Sequence, residues 1–432
     1  MTPGARIAAA VEILDDIAAR HRPAAEALKD WGLGHRFAGS KDRGAIASLV
    51  FDALRCRASA AWIMGAETAR AVMFGALRQL RGLDAAALAA LCEGVAHAPA
   101  PPDADEQRRL ETGDLAGAPL HVAGNIPEWL ASAFLASFGD GALAEAQALA
   151  ARAPVDLRVN TLKATRDKAL AALAHLDAAA TPLSPVGLRL PFLPDGRGPA
   201  VTAEPAYLKG QVELQDEASQ LAAQLAAAKP GEQVLDLCAG GGGKTLALSA
   251  AMENRGQIYA HDGDVHRLAP IHARLERAGV RNAQVRTPRG AVDVLADLAG
   301  RIDLVVIDAP CTGTGSWRRN PDAKWRIRPG ALEQRVKAQD ELLDRAPGFL
   351  APDGRILYVT CSLLKAENED RIAAFLARHP DFMAVGATAL VAAAGLPQLA
   401  GFATAGGDAI RLSPASTGTD GFFVAMLRRA GH

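Results

Sequence analysis

Three strand-like runs end in residues suited to chemistry. The first is Asp236-Leu237-Cys238-Ala239-Gly240-Gly241-Gly242-Gly243-Lys244-Thr245, where a strand gives way to a helix. Glycines let the backbone pass close to a ligand, and the free N–H groups at a helix start favour negative charge. A phosphate-cradling loop needs glycine five positions before Gly243, where Cys238 stands, and the dinucleotide spacing GxGxxG also fails. The remaining ligand reading is S-adenosylmethionine, with Cys238, Ala239, Gly240, Gly241, Gly242, Gly243 and Lys244 lining the amino-acid end of the cofactor. The bland alternative is a tight turn, although four consecutive glycines carry an entropic cost that a plain turn does not need. The second run ends His261-Asp262. An acidic residue about 20 residues beyond such a turn is where a doubly wound fold binds ribose hydroxyls, so Asp262 is the expected ribose ligand.

The third feature is a pair of cysteines. Ile307-Asp308-Ala309-Pro310-Cys311 and Tyr358-Val359-Thr360-Cys361 both close on a thiol. A free cysteine is most often a small buried hydrophobe. In a doubly wound sheet, however, these fourth and fifth strands are neighbours, about 4.8 Å apart, so both sulfurs would face the cofactor crevice. An amine can attack a sulfonium methyl group unaided. Carbon 5 of a pyrimidine cannot do so until a thiolate adds at carbon 6, which is covalent catalysis. The adduct must then lose its carbon-5 proton and expel the sulfur, a step a second thiol can assist. Asp308 is placed to hold the ring's N3 and amino edge, and the base must leave its stack to be reached. Directly after Cys311, residues 316–337 carry seven basic residues against two acidic ones. Arg318, Arg319, Lys324 and Arg326 interleave with Trp317 and Trp325, which suits phosphate contact and base stacking. A solvated basic face is the alternative.

These residues need elements to position them. Strands are predicted at 233–237, 257–261, 283–286, 303–307, 355–360 and 421–427, with helices between. That alternation implies an α/β domain with a Rossmann-like, doubly wound, mostly parallel sheet over 206–432. Residues 126–205 read as a small α+β module. Residues 1–97 read as helical, with apolar residues at helical spacing in Ile7-Ala10-Ile13-Leu14-Ile17, Ile46-Leu49-Val50-Leu54 and Val72-Phe74-Leu77-Leu80, and with Ser40 as an N-cap. The proline-rich run after His97 marks 98–125 as a linker.

Composition sets the limits. The 432 residues imply two to four domains at roughly 100–200 residues each. Half of them are hydrophobic, and 47 Lys and Arg against 48 Asp and Glu exclude an obligatorily basic coat without excluding a local basic stripe. Arg6 followed by Glu12, Asp15 and Asp16 breaks any signal-peptide core, and no uncharged apolar run approaches the length of a membrane span. The five cysteines are odd in number with no CxxC pair, which argues against a disulfide framework or a structural zinc site. A cytoplasmic, metal-free monomer without membrane attachment is expected.

At the quoted residues the chain resembles the Nop/Sun family of RNA (cytosine-5) methyltransferases. DLCAGGGGKT, DAPCTGTGSWRRNP, YVTCSLLKAENE and STGTDGFFVA carry the resemblance, joined by LRVNTLK (157–163) and ELQDEASQL (213–221). SKDRGAIASLVFDALR (40–55) is similar to the NusB-like domain of the bacterial 16S ribosomal RNA member, the RsmB type. The resemblance implies that Cys361 is the nucleophile and that Cys311 helps release the methylated product. It places Asp308 at the cytosine edge or the cofactor end, adds Arg158 and Asn160 as RNA contacts, and makes 16S rRNA or a ribosomal assembly precursor the expected partner. Two departures stand out. Gly241 replaces the family's proline. Arg289 falls about where the family's third strand carries an aspartate, leaving Asp293 or the backbone alone to meet the adenine. The rivals are a DNA cytosine-5 enzyme using Cys311 and a non-catalytic NusB-like RNA-binding factor.

Overall fold

The computed structural model describes residues 1–192 and 198–431 and divides into two compact units. The expected turn-rich stretch before 205 includes 193–197, which lie outside the described residues.

The first unit comprises Met1–Arg152 and Trp317–Arg328. Its helices Pro3–Arg20, Ser40–Arg55 and Ala69–Arg81 bury Ile7, Ile13, Ile46, Val50 and Phe74 in one core, as the helical spacing predicts. Leu80, expected on that face, is half exposed. Ser40 is the first helical residue, and Gly39 occupies the cap position. The N-caps that do bond include Thr2, Thr68, Asp84 and Asp103.

The stretch 98–125 is more than a linker. Asp103 and Glu106 close a capping box on the helix Ala104–Thr112, Leu110 enters the helical core, and Arg70 bonds Glu106 at 2.8 Å and the carbonyl of Pro101 at 3.1 Å. Proline forbids helix continuation at 99–102 but not packing of the chain that follows. The compact unit runs on to Arg152 and takes in the helices Ala131–Phe138 and Ala142–Ala150.

The second unit holds two sheets. The smaller contains β1 (Val155–Val159), β2 (Ala179–Ala180), β3 (Gly187–Leu190) and β4 (Val212–Leu214), in the order β2-β3-β1-β4, with antiparallel pairing. The larger contains β5 (Gln233–Asp236), β6 (Gln257–Ala260), β7 (Ala283–Val285), β8 (Ile302–Asp308), β9 (Leu350–Thr360), β10 (Phe382–Ala384), β11 (Ile410–Leu412) and β12 (Phe422–Arg429). Its order is β10-β12-β9-β8-β5-β6-β7, with β11 on β12. Strands β9, β8, β5, β6 and β7 are parallel, and β12 returns antiparallel against β9. This is the doubly wound sheet read from the alternation of strands and helices. Its central strands bury both faces under helices, so Val305, Val306 and Ile307 are continuously apolar and inaccessible. Strands β10 and β11, each three residues long, give too short a run to register in the sequence.

Candidate active site

The cofactor turn sits at the C-terminal end of β5. Gly240 and Gly242 adopt left-handed backbone (φ +49° and +83°), and a Cβ on Gly242 would lie 2.5 Å from Ile271. Glycine is therefore required at Gly242 on two grounds. Asp262, at the end of β6, is buried and accepts the N–H of Gly240 and that of Asp264, both at 2.9 Å, so it shapes the turn as well as facing it. Arg274 donates to the carbonyl of Gly241 at 2.6 Å, tying the turn at the position where the family's proline is missing. Burial pushes the Cys238 thiol well up, which keeps it neutral and fits it for lining. Asp236 is buried; Thr245 donates to its Oδ2 at 2.7 Å, while Oδ1 has no partner. Burial pushes this carboxyl up to about 7. A glycine turn, a helix N-terminus and an orphaned buried oxygen together fit a polar ligand with an amino-acid end. Among the groups expected near the adenine, Asp293 pairs with Arg345 at 3.0 Å and accepts the N–H of Leu295.

The cysteines stand where adjacency of β8 and β9 puts them. The Cys311 and Cys361 sulfurs are 3.4 Å apart and both partly accessible. The hydrogen bond to Cys361, followed by burial, raises the Cys311 thiol well above the usual range. Cys311 therefore keeps its proton. Lys244, read from the sequence as a cofactor contact, places its ammonium 2.7 Å from Asp308 Oδ2 and 5.1 Å from the Phe422 ring centroid. One buried cation thus joins the glycine turn to the cysteine loop. Glu367 was not singled out by sequence, yet it is wholly buried between the two cysteine loops. A single Glu in a polar run looks like any solvated carboxylate.

The expected RNA contacts need correction. Arg318 and Lys324 are 4% and 1% exposed. Lys324 donates to the carbonyl of Arg55 at 2.9 Å, and the carbonyl of Arg318 accepts from Arg55 at 2.6 Å. The indole N–H of Trp325 bonds the carbonyl of Leu54 at 2.7 Å, and Arg57 lies over its ring. Trp317 is buried and stacked with Phe134. This stretch packs into the helical unit, and the buried Lys324 ammonium meets a carbonyl instead of a phosphate. Arg319 and Arg326 are half-buried, the latter paired with Asp322. Arg158 and Asn160 are buried as well. Arg158 donates to the carbonyl of Gly243 at 2.8 Å, and Asn160 to those of Gly210 and Ala278. They bind the small sheet to the large domain and hold the cofactor turn from behind.

Among the described residues, no cluster could hold a metal ion and no helix is long and apolar enough to cross a membrane. The fold is that of the Rossmann-like S-adenosylmethionine-dependent methyltransferases. Residues 223–428 match the model of the family described as 16S rRNA methyltransferase RsmB/F, and residues 126–192 match its ferredoxin-like domain. The ribosomal RNA small subunit methyltransferase B of Shewanella oneidensis is 33% identical over 71% of this chain and 68% of its own length. A probable counterpart from Synechocystis is 32% identical over 60% of this chain, and the match spans 58% of that relative. The crystal structure of PH0851 aligns over 99% of both chains with a TM-score of 0.73 at 24% identity, a likeness of fold. The chain belongs to the RsmB/F methyltransferase family.

Proposed function

We propose that this protein methylates carbon 5 of a cytosine in small-subunit ribosomal RNA, using S-adenosylmethionine. The observation that carries the reading is the contact between the Cys311 and Cys361 sulfurs beside Asp308 and the glycine turn. When bound, the cofactor supplies an electrophilic methyl group on a sulfonium, held by residues 238–244 with Asp262 at its ribose. Cys361 adds as thiolate to carbon 6, and the electron pair of the C5–C6 double bond moves to carbon 5, which becomes the nucleophile. Asp308, oriented by Lys244, holds the N3 and amino edge of the base and offsets the charge that develops there. After methylation, carbon 5 gives up its proton to a water molecule, the C5–C6 double bond re-forms from that electron pair, and the C6–S bond breaks to release Cys361 as thiolate. Cys311 lies 3.4 Å from the departing sulfur, where its thiol assists release as a hydrogen-bond donor. The exposed members of the basic segment, Arg328, Arg335 and Lys337, are the ones placed to meet phosphate.

The reading is tested with RNA containing 5-azacytidine and labelled cofactor, followed by denaturing electrophoresis. Cys361→Ala is expected to abolish the protein–RNA adduct, and Cys311→Ala to leave a persistent adduct even on ordinary RNA. If Cys311→Ala were the variant unable to bond, the nucleophile would be Cys311, as in the DNA enzymes. A wild type that binds RNA but forms no adduct and takes no cofactor would make the protein a binding factor.

A further inference from the structure

The β8–β9 ladder ends at the pair Asp308–Val359, followed by a bond from Ala309 N–H to the carbonyl of Val359 at 2.8 Å and one from Gly315 N–H to the carbonyl of Cys361 at 2.9 Å. Both cysteines lie beyond it, so strand pairing alone does not set the distance between their sulfurs. Glu367 spans that gap. Its Oε1 accepts the N–H of Thr312 at 2.8 Å and the side-chain amide of Gln339 at 3.1 Å. Its Oε2 accepts the hydroxyls of both Thr312 and Ser362. Thr312 and Ser362 are the residues that follow the two cysteines. The carboxylate is itself anchored: the Tyr358 hydroxyl donates to the Glu367 carbonyl at 2.7 Å, and Gln339 also donates to the carbonyl of Pro310 at 3.0 Å. An ionised carboxylate buried this completely is costly unless its oxygens are filled. Here all the donors come from the cysteine loops and the helix beside them.

We infer that Glu367 is the positioning residue of the two-cysteine site: its carboxylate clamps the loops after β8 and β9 so that the Cys311 and Cys361 sulfurs stay in contact. This rests on the cytosine-5 reading for its catalytic meaning, though not for its geometry. The clamp's negative charge also lies near Cys311 and helps keep that thiol protonated, in line with a role in release.

Diamide reads the geometry directly. It takes two protons and two electrons from a contacting thiol pair, forming the disulfide and becoming the hydrazine. In the full-length protein without RNA, Glu367→Ala is expected to slow Cys311–Cys361 cross-linking, followed by mass spectrometry, roughly tenfold or more. With RNA and cofactor, kcat should fall roughly 100-fold while KM for RNA and the affinity for S-adenosylmethionine stay within about twofold. Glu367→Gln keeps one acceptor and gains a donor for the hydroxyl oxygens, so it should recover most of the cross-linking rate. Wild-type cross-linking in Glu367→Ala would overturn the inference. Should that variant lose cofactor binding, Ser362→Ala, which removes a single donor, decides: an intermediate rate supports the clamp and a wild-type rate refutes it. A wild type that cross-links readily but forms no adduct with azacytidine RNA would retire the cytosine reading and leave the clamp standing.

Discussion

The chemistry of this site rests on a few residues whose positions were unequally legible. Cys311 and Cys361 could be read from sequence because each follows an apolar run, and strand adjacency in a doubly wound sheet brings their loops together. The glycine turn was legible for the same reason. Asp262 was found by its distance from that turn, but not its hydrogen bond to Gly240. Lys244 and Glu367 escaped in part because their roles depend on partners remote in sequence, Asp308 and Ser362-Thr312 respectively. Within the turn, the structure separates two glycines that look alike on paper. Gly242→Ala places a side chain on left-handed backbone, costing about 1–2 kcal/mol, and drives a methyl into Ile271. Urea unfolding should show at least that loss, and titration with S-adenosylmethionine should show weaker binding. Gly241→Ala meets only the flexible guanidinium of Arg274 at 3.0 Å and should stay near wild type in both measurements.

Elements were legible where periodicity was strong. The strands of the parallel sheet and the buried faces of the helices Pro3–Arg20 and Ser40–Arg55 follow from apolar spacing alone. The segment 317–328 shows where such reading stops. Alternating Trp with Lys and Arg is the composition of a nucleic-acid surface and equally of a strap threaded through a helical core, and composition cannot tell them apart. The structure shows the strap. Burial, with Arg55 close by, pushes the Lys324 ammonium down to about 7. Between pH 7 and about 10.5 the unfolded chain therefore binds a proton that the folded one does not, so stability rises with pH across that window and is flat below it. The slope reaches as much as about 1.4 kcal/mol per pH unit. Lys324→Met should remove this rise, measured as urea midpoints from pH 7 to 10 against wild type.

At the scale of the whole molecule, the chain leaves the second unit after Ser316, contributes Trp317–Arg328 to the first, and returns at Pro329. The excursion begins a few residues beyond Cys311. A chain starting at Ala153 would keep both sheets but strip Trp317, Lys324 and Trp325 of the helices that cover them. Such a truncation should bind a hydrophobic dye and associate on gel filtration; a monomeric, dye-silent product would refute this account of the strap. Residues 98–125 teach the same lesson from the other side, since prolines announce a boundary that the packing of Leu110 then denies.

The strap also bears on biosynthesis. Ribosomes deliver the chain from its N-terminus, so the first helices emerge long before the tryptophans that complete their core. Arg55 and Lys324, which bond in the finished protein, are separated by 269 positions. The nascent helical bundle must wait, with an open flank, until half of the sheet domain has been translated. The helical unit cannot close its core before Trp317–Arg328 emerges, and a translational pause before codon 317 would hold the bundle at its most vulnerable stage.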